Sequence, residues 1–285
     1  MGYIAHYASY SPQALSGYAE KYTVLALTGY TVDAYGRITI ENDALHRRFI
    51  REYLNHFLPV LTLKSSSDGI SLLTDPAKRD SFARMVSTFC TRHQLSRIQL
   101  DFEYLPSPYN HAYAALLKRI KTHNNSLFLS ICIAPQVDSL PQYAGFFDVT
   151  ALDPYADEFM LMSYDYHGPD KKFGPVTDTV WTEKNIRHIL KHTESSKLVL
   201  GIPLYGYYWD AEGNTRVMTE RTFYDRFDRG EIIRSHHGTV TVKKASKRGY
   251  PYLSVGDAHT VVLFMSIARR YNLKGCAVWR LGFER

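Results

Sequence analysis

The 285-residue chain reads as an α/β protein, a (β/α)8 TIM barrel with a small α+β insertion between strands seven and eight. Three observations predict it. Short β-branched or apolar runs recur along the sequence, each is followed by a segment with helical spacing, and there are eight of them. That alternation predicts parallel strands joined by helical crossovers, and eight such units close a sheet on itself. The length also suits one barrel, which typically takes about 250 residues.

In chain order the runs are Tyr3–Tyr7, Thr23–Thr28, Phe57–Leu63, Arg97–Glu103, Leu127–Ile133, Glu158–Tyr164, Leu198–Leu204 and Gly275–Arg280. Helical spacing is found over Asn42–Asn55, Pro76–His93, Tyr109–His123, Glu183–Thr193 and Ala258–Tyr271. The rhythm breaks once. Residues 211–256 carry a charged helix, Glu220–Arg229, and two β-like runs, Val240–Lys243 and Tyr250–Val255, flanking Lys-Arg-Gly. This predicts a rim insertion within one domain spanning 1–285, since no Pro/Ser linker, repeat or low-complexity tract marks a second one. The chain stops five residues after the eighth run, before an eighth helix can form, as expected of a module cut from a longer polypeptide or of a chain lacking a short N-terminal piece.

Apolar residues at 45% and charged residues at 22% allow a large core and argue against disorder. The formal charge of +6 comes from scattered Lys and Arg with no basic helix or RNP-like motif, so no nucleic acid partner is expected. No run approaches the roughly 20 apolar residues of a membrane span, and no charged leader precedes the first apolar residues. Cys90, Cys132 and Cys276 each lie in an apolar run and read as buried thiols. His188 and His192 stand four apart on a predicted helix, but Ile-Leu-Lys between them lacks the Glu of H-E-x-x-H. His236 and His237 have no acid at ligand spacing. No metal and no other cofactor is expected, and the chain reads as a monomer.

The chemistry concentrates in Ser96-Arg97-Ile98-Gln99-Leu100-Asp101-Phe102-Glu103-Tyr104-Leu105-Pro106. Strand side chains alternate, so Ile98, Leu100 and Phe102 face the helices while Gln99, Asp101 and Glu103 face the barrel interior. Two acids then share one enclosed face at the C-terminal mouth of a strand, where barrel enzymes carry their catalytic groups. A neighbouring carboxylate raises the pKa of its partner, so the pair should hold a proton near neutral pH, as a general acid requires.

This stretch resembles the fourth-strand signature D-G-x-D-x-D-x-E of family 18 glycoside hydrolases, the chitinase-like barrels. Asp101, Phe102 and Glu103 match its last three positions; Ser96, Arg97 and Gln99 depart from it. Three further segments carry the resemblance: Met160-Leu-Met-Ser-Tyr164-Asp165-Tyr166-His167-Gly168 resembles the sixth-strand M-x-Y-D element, Leu198-Val-Leu-Gly-Ile-Pro-Leu-Tyr205-Gly206 the seventh-strand G-x-P-x-Y-G, and Gly275-Cys-Ala-Val-Trp279-Arg-Leu-Gly282 the last strand. The likeness implies a glycosidase cutting β-1,4 links next to N-acetylglucosamine by a substrate-assisted, retaining mechanism. Glu103 would be the proton donor, Asp101 would orient the 2-acetamido group, and Tyr164 would bond its oxygen. Tyr205, Trp279 and Gln99 would help bind the sugar, with Gln99 bonded to Asp101 where the family has an Asp, and Asp165 would help bind the sugar or tune Glu103. Chitin, the peptidoglycan glycan strand and a deacetylated exopolysaccharide all remain open as the polymer, and the motif variant is closer to bacterial cell-wall and spore-cortex members. Such polymers imply an extracellular or cell-envelope location. Three rival readings stand beside this one: a metal-dependent deacetylase acting on the same polymers, to which His188 and His192 would belong, a non-catalytic, lectin-like barrel, and a glycosidase with Asp165 as ordinary nucleophile.

Overall fold

The computed structural model describes residues 1–139, 144–169, 173–210, 212–227, 231–235, 237–242 and 252–284. In chain order it runs β1 (Gly2–Ile4), α1 (Pro12–Lys21), β2 (Leu25–Val32), β3 (Ile38–Ile40), α2 (Asp43–Glu52), β4 (Phe57–Leu63), α3 (Ser66–Thr74), α4 (Pro76–His93), β5 (Arg97–Asp101) and α5 (Asn110–His123). It continues through β6 (Phe128–Ile133), α6 (Val149–Leu152), β7 (Glu158–Leu161), α7 (Thr179–Ile189) and β8 (Leu198–Pro203), and ends with α9 (Ala258–Arg270) and β14 (Gly275–Trp279) after the insertion. The strands pair in the order β1-β14-β8-β7-β6-β5-β4-β2, and β2 returns to β1 through parallel pairs such as Tyr3 with Ala26. The predicted barrel is therefore closed. β3 adds antiparallel to β2 outside it.

Alternation along the strands makes two cores. Outward residues such as Ile98, Leu100, Ile131, Phe159 and Leu200 pack with the helices in one continuous layer, all fully buried. Inward residues including Tyr3, Ala26, Val60, Cys132, Met160 and Ala277 fill the barrel itself. At roughly 1.5–3 kcal/mol for each fully buried large aliphatic or Phe side chain, the outer layer dominates the stabilisation.

Local chemistry sets the helix ends. Asp75 caps α4 through the amides of Ala77 and Lys78, Pro76 opens it, and Gln94 in the left-handed region ends it. The spacing-based expectation for α2 began at Asn42, which is its N-cap. The helix expected over Glu183–Thr193 begins earlier, at Thr179, because Asp178 accepts a hydrogen bond from the Trp181 amide and starts the turn there.

Between β8 and α9 lie β9 (Tyr205–Trp209), β10 (Thr215–Thr219), α8 (Glu220–Arg226), β11 (Ile232–Arg234), β12 (Val240–Val242) and β13 (Tyr252–Val255). They form a five-stranded antiparallel sheet in the order β10-β9-β13-β12-β11, with Phe223, Leu253 and Val255 in its own small core. This is the α+β insertion, and its first strand begins at Tyr205, ahead of residue 211. Arg229, His236, Lys243, Tyr250 and Lys247-Arg248-Gly249 lie outside the described residues. The three cysteines are free; Cys90 and Cys132 are buried, and Cys276 is half-buried. No helix among the described residues is long and apolar enough to cross a membrane.

Candidate active site

β5 ends at Asp101, two residues earlier than the alternation suggested, yet the facing it predicted persists to Phe102. Ile98, Leu100 and Phe102 are fully buried in the outer layer, and the backbone turns at Tyr104, whose φ of 57° leaves its ring exposed. Glu103 is thereby held at the mouth above Asp101. Burial raises the Asp101 carboxyl above its ordinary value. Burial also raises Glu103, and the charges of Asp101 and Asp165 push it further. Among the described residues no cation offsets either acid, and Asp101 Oδ1 is buried without a hydrogen-bond partner. The pair shares protons that titrate jointly.

Tyr164 and Asp165 come from the loop after β7, which ends at Leu161. Asp165 adopts a left-handed φ of 56°, turning its carboxylate toward the insertion. There the Tyr205 and Tyr207 hydroxyls both donate to Asp165 Oδ1, at 2.6 and 2.9 Å. Two phenols one strand period apart on β9 thus grip one oxygen. The Tyr205 ring also meets Tyr164 edge-on, 6.2 Å between centroids. Gly201 on β8 makes room for this: a Cβ there would fall 2.6 Å from the Leu161 carbonyl oxygen and 3.0 Å from Tyr164 Cε1.

Trp279 closes β14 half-buried, its ring 5.2 Å from that of Tyr3, and joins the aromatic cluster of Tyr205, Tyr207 and Trp209. Beside it a cleft of about 320 Å³ is lined by Glu103, Tyr104, Met162, Tyr164, Asp165 and Trp181, among others. Trp181 stacks on Tyr166 at 4.5 Å and also borders an adjoining depression of about 440 Å³.

Six of the seven predicted site residues therefore gather at one mouth: Glu103, Tyr164 and Asp165 in the cleft wall, Asp101 beneath, Tyr205 and Trp279 in the adjacent aromatic cluster. Gln99 is a correction. It is fully buried, its Oε1 accepts from the Tyr3 hydroxyl at 2.6 Å and its Nε2 donates to Ser130 Oγ at 2.9 Å. Its amide is thus engaged behind the site, with no bond to Asp101 and no surface for a sugar. Tyr205 also differs from expectation, since 5% exposure and a hydroxyl committed to Asp165 make it a support for that carboxylate. Tyr207 carries the same role, and its period-two spacing from Tyr205 was the available signal. Trp181 had none, because an aromatic in the first turn of a helix reads as core.

The histidines at helical spacing lie away from this mouth. His188 and His192 have ring centroids 5.5 Å apart, and His192 Nδ1 is bonded to the Thr150 hydroxyl. Among the described residues no three His, Cys, Asp or Glu side chains group as a metal site.

The family model described as glycosyl hydrolases family 18 matches residues 1–284. The chain belongs to that family. Among curated relatives it is 22% identical over 223 residues to the uncharacterized glycosylase YvbX of Bacillus subtilis, a match covering 75% of this chain and 65% of that protein. It is 24% identical over 238 residues to the cortical fragment-lytic enzyme of the same species, covering 76% of this chain and 53% of that one. The match thus spans only about half to two thirds of those proteins. A solved chitinase from Chromobacterium violaceum superposes with a TM-score of 0.86 at 21% identity, over 100% of this chain and 95% of the other.

Proposed function

We propose that the chain is a glycosidase hydrolysing β-1,4 links next to N-acetylglucosamine in a chitin- or peptidoglycan-like polymer, by a substrate-assisted retaining mechanism. The observation that carries this reading is the placing of Asp101 and Glu103 two residues apart at one strand end, both half-buried and, among the described residues, uncompensated by a cation. Most retaining glycosidases need two carboxyl groups on opposite sides of the bond, about 5–5.5 Å apart. Two acids from one strand end approach from one side. Asp165, from another strand, has Oδ1 held by two phenols, which draws charge from the carboxylate and lowers its nucleophilicity. The nucleophile then comes from the substrate.

In the first step Glu103 gives its proton to the glycosidic oxygen, the C1–O bond breaks, and the 2-acetamido oxygen bonds to C1. Asp101, directly below, accepts the acetamide N–H, which satisfies the buried Oδ1 that lacks a partner. Tyr164 donates to the acetamide oxygen until it attacks, and its hydroxyl stays protonated because burial raises it well above the ordinary tyrosine range. In the second step the same Glu103 takes a proton from water, whose oxygen attacks C1 and opens the oxazolinium with net retention. The Trp279 indole provides an apolar face for the pyranose. A Glu103 carboxyl that burial and the neighbouring Asp101 and Asp165 charges raise well above the ordinary range suits turnover and has no purpose in a lectin-like barrel.

The test is hydrolysis of chromogenic N-acetylglucosamine oligomers beside glucose oligomers of equal length. Cleavage of the first alone, retained β-configuration in the product, and loss of at least 1,000-fold in Glu103→Gln are expected. Cleavage of both series would return Asp165 as the nucleophile, and binding without cleavage would return the lectin-like reading.

A further inference from the structure

Resting on that catalytic reading, we infer that Glu158, at the floor of the barrel, is a remote positioning residue. It controls the protonation of the Asp101–Glu103 pair by fixing the direction of a hydrogen-bond chain that runs up to them. Strand register sets Gln99, Ser130 and Glu158 side by side on β5, β6 and β7. All three are buried and face the barrel interior, and they join in one line: Tyr3 hydroxyl to Gln99 Oε1 at 2.6 Å, Gln99 Nε2 to Ser130 Oγ at 2.9 Å, Ser130 Oγ to Glu158 Oε1 at 2.9 Å. Lys274 Nζ closes the line at 3.0 Å from Glu158 Oε2.

The direction follows from counting protons. An ionised Glu158 only accepts, and Ser130 has a single proton, so Ser130 donates it downward. Ser130 must then accept from Gln99, which turns its amide oxygen toward Tyr3. Tyr3 in turn spends its only proton on Gln99. On its other side the Tyr3 oxygen meets Cys132 Sγ at 3.7 Å with lone pairs only, so it competes for the single thiol proton with Asp101, to which Cys132 is also hydrogen-bonded. Every proton from Tyr3 down to Glu158 therefore points away from Asp101, whose hold on the thiol proton is weakened and whose Oδ1 has no hydrogen-bond partner. The groups facing Asp101 are Tyr3, Cys132, Tyr113, Tyr164 and Glu103, and Asp165 faces Glu103. None of these is cationic. Facing Glu158 are Lys274 and the Met1 amino group.

Glu158→Gln reverses the line with almost no change of shape. The ammonium of Lys274 takes the new amide oxygen, so the amide NH2 faces Ser130. Ser130 then donates upward to Gln99, the Gln99 amide turns over and donates to Tyr3, and Tyr3 donates to Cys132 Sγ. The thiol proton is then committed to Asp101, whose ionised form keeps a full donor in place of a shared one. The acid limb of the kcat/KM profile should move down by about 0.5–1 pH unit, the size of one ordinary hydrogen bond, and the 13C-carboxyl titration of Asp101 should move with it.

The experiment measures both quantities on the whole chain for wild type, Glu158→Gln, Ser130→Ala and Ser130→Ala/Glu158→Gln. Ser130→Ala cuts the line, so on that background Glu158→Gln should add no shift. A double variant shifted as far as Glu158→Gln relative to Ser130→Ala would mean that the charge acts through space, and would overturn the inference. Coincident profiles for wild type and Glu158→Gln would overturn it as well. Should Glu158→Gln fail to fold, Ser130→Ala decides alone: released from Glu158, Gln99 turns over in part and the Asp101 titration falls, whereas an unmoved titration refutes the chain. The carboxyl titration needs no turnover, so a shift in a protein that cleaves nothing keeps this inference and rejects the proposed hydrolysis.

Discussion

Gly201→Ala tests how the barrel makes room for its cleft. The added Cβ would lie 2.6 Å from the Leu161 carbonyl oxygen, 3.0 Å from Tyr164 Cε1 and 3.1 Å from Met160 Sδ. Sulfur can swing aside, but the carbonyl belongs to β7, which is paired with β8 at Leu161 and Leu200, so neither strand can yield without disturbing the ladder. The strain falls on Tyr164. Overpacking of this kind costs about 1–3 kcal/mol, and at about 2–4 °C per kcal/mol for a domain of this size Tm should drop by roughly 2–12 °C. A shift of Tyr164 approaching 1 Å would lower kcat/KM by up to about 100-fold. Gly275→Ala is the internal control, because its Cβ would meet nothing within 4 Å and its φ is ordinary. The assay is thermal unfolding and N-acetylglucosamine oligomer hydrolysis for both variants. The reasoning is refuted if Gly201→Ala melts within 1 °C of Gly275→Ala and keeps at least half the wild-type kcat/KM.

Three more outcomes are expected. Each phenol bonded to the Asp165 carboxylate is worth about 1.5–3 kcal/mol, so Tyr205→Phe should lower kcat/KM by at least 10-fold and Tyr207→Phe, which loses the longer bond, by less; equal or negligible effects would deny the grip on Asp165 a role. The native state holds the Glu103 proton above the pH where an unfolded Glu, near 4.3, releases it, so this group subtracts stability increasingly as pH rises toward its raised native value. Glu103→Gln should therefore melt higher than wild type, by a margin that widens from pH 5 to pH 8 in matched thermal scans, and a constant margin would contradict the burial of that charge. Burial, and next the neighbouring His93, hold His46 down at about 4, while the unfolded imidazole titrates near 6.5. Its contribution is complete above about 6.5 and is lost as pH falls toward 4. The urea midpoint should decline between pH 7.5 and 5 more steeply in wild type than in His46→Gln, and parallel declines would show that His46 is not held neutral.

The barrel was legible because both of its periodicities survive in the sequence: Ile98, Leu100 and Phe102 alternate with Gln99, Asp101 and Glu103, and Pro76–His93 was delimited by Asp75-Pro76 at one end and its charged last turn at the other. The helix Pro12–Lys21 was not among the expected elements, and the reason is physical: Leu15 is its one fully buried residue, so it lacks an apolar stripe. Strand ends ran long by two or three residues wherever the loop continued the alternation, as at Glu103 and Tyr164, since facing outlasts pairing. Gln99 misled for another reason. Alternation places a side chain on the inner face but does not tell depth, and one layer below the mouth an inward residue meets Tyr3 and Ser130 instead of a ligand. The support of Asp165 by Tyr205 and Tyr207 was half legible: their period-two spacing stood in the sequence, but their partner did not, because the contact depends on a strand, β9, that belongs to the insertion rather than to the barrel.

That last contact changes what the insertion is. The segment from Gly201 to Gly206 crosses from barrel to insertion, and each marked residue serves the same carboxylate. Gly201 admits the Tyr164 ring between β7 and β8. Pro203 ends the barrel strand, and Tyr205, two residues on, delivers its hydroxyl to Asp165. Gly206 lets β13 close against β9, since a Cβ there would stand 1.8 Å from the Ser254 carbonyl oxygen. β13 pairs with β9 through Ser254 and Tyr207 and so holds the second phenol in place. An insertion whose sheet is built around the two residues that grip Asp165 is part of the site's frame. A loose appendage over the rim would leave Asp165 to water, and a solvated carboxylate could not press its charge on Glu103 as this one does.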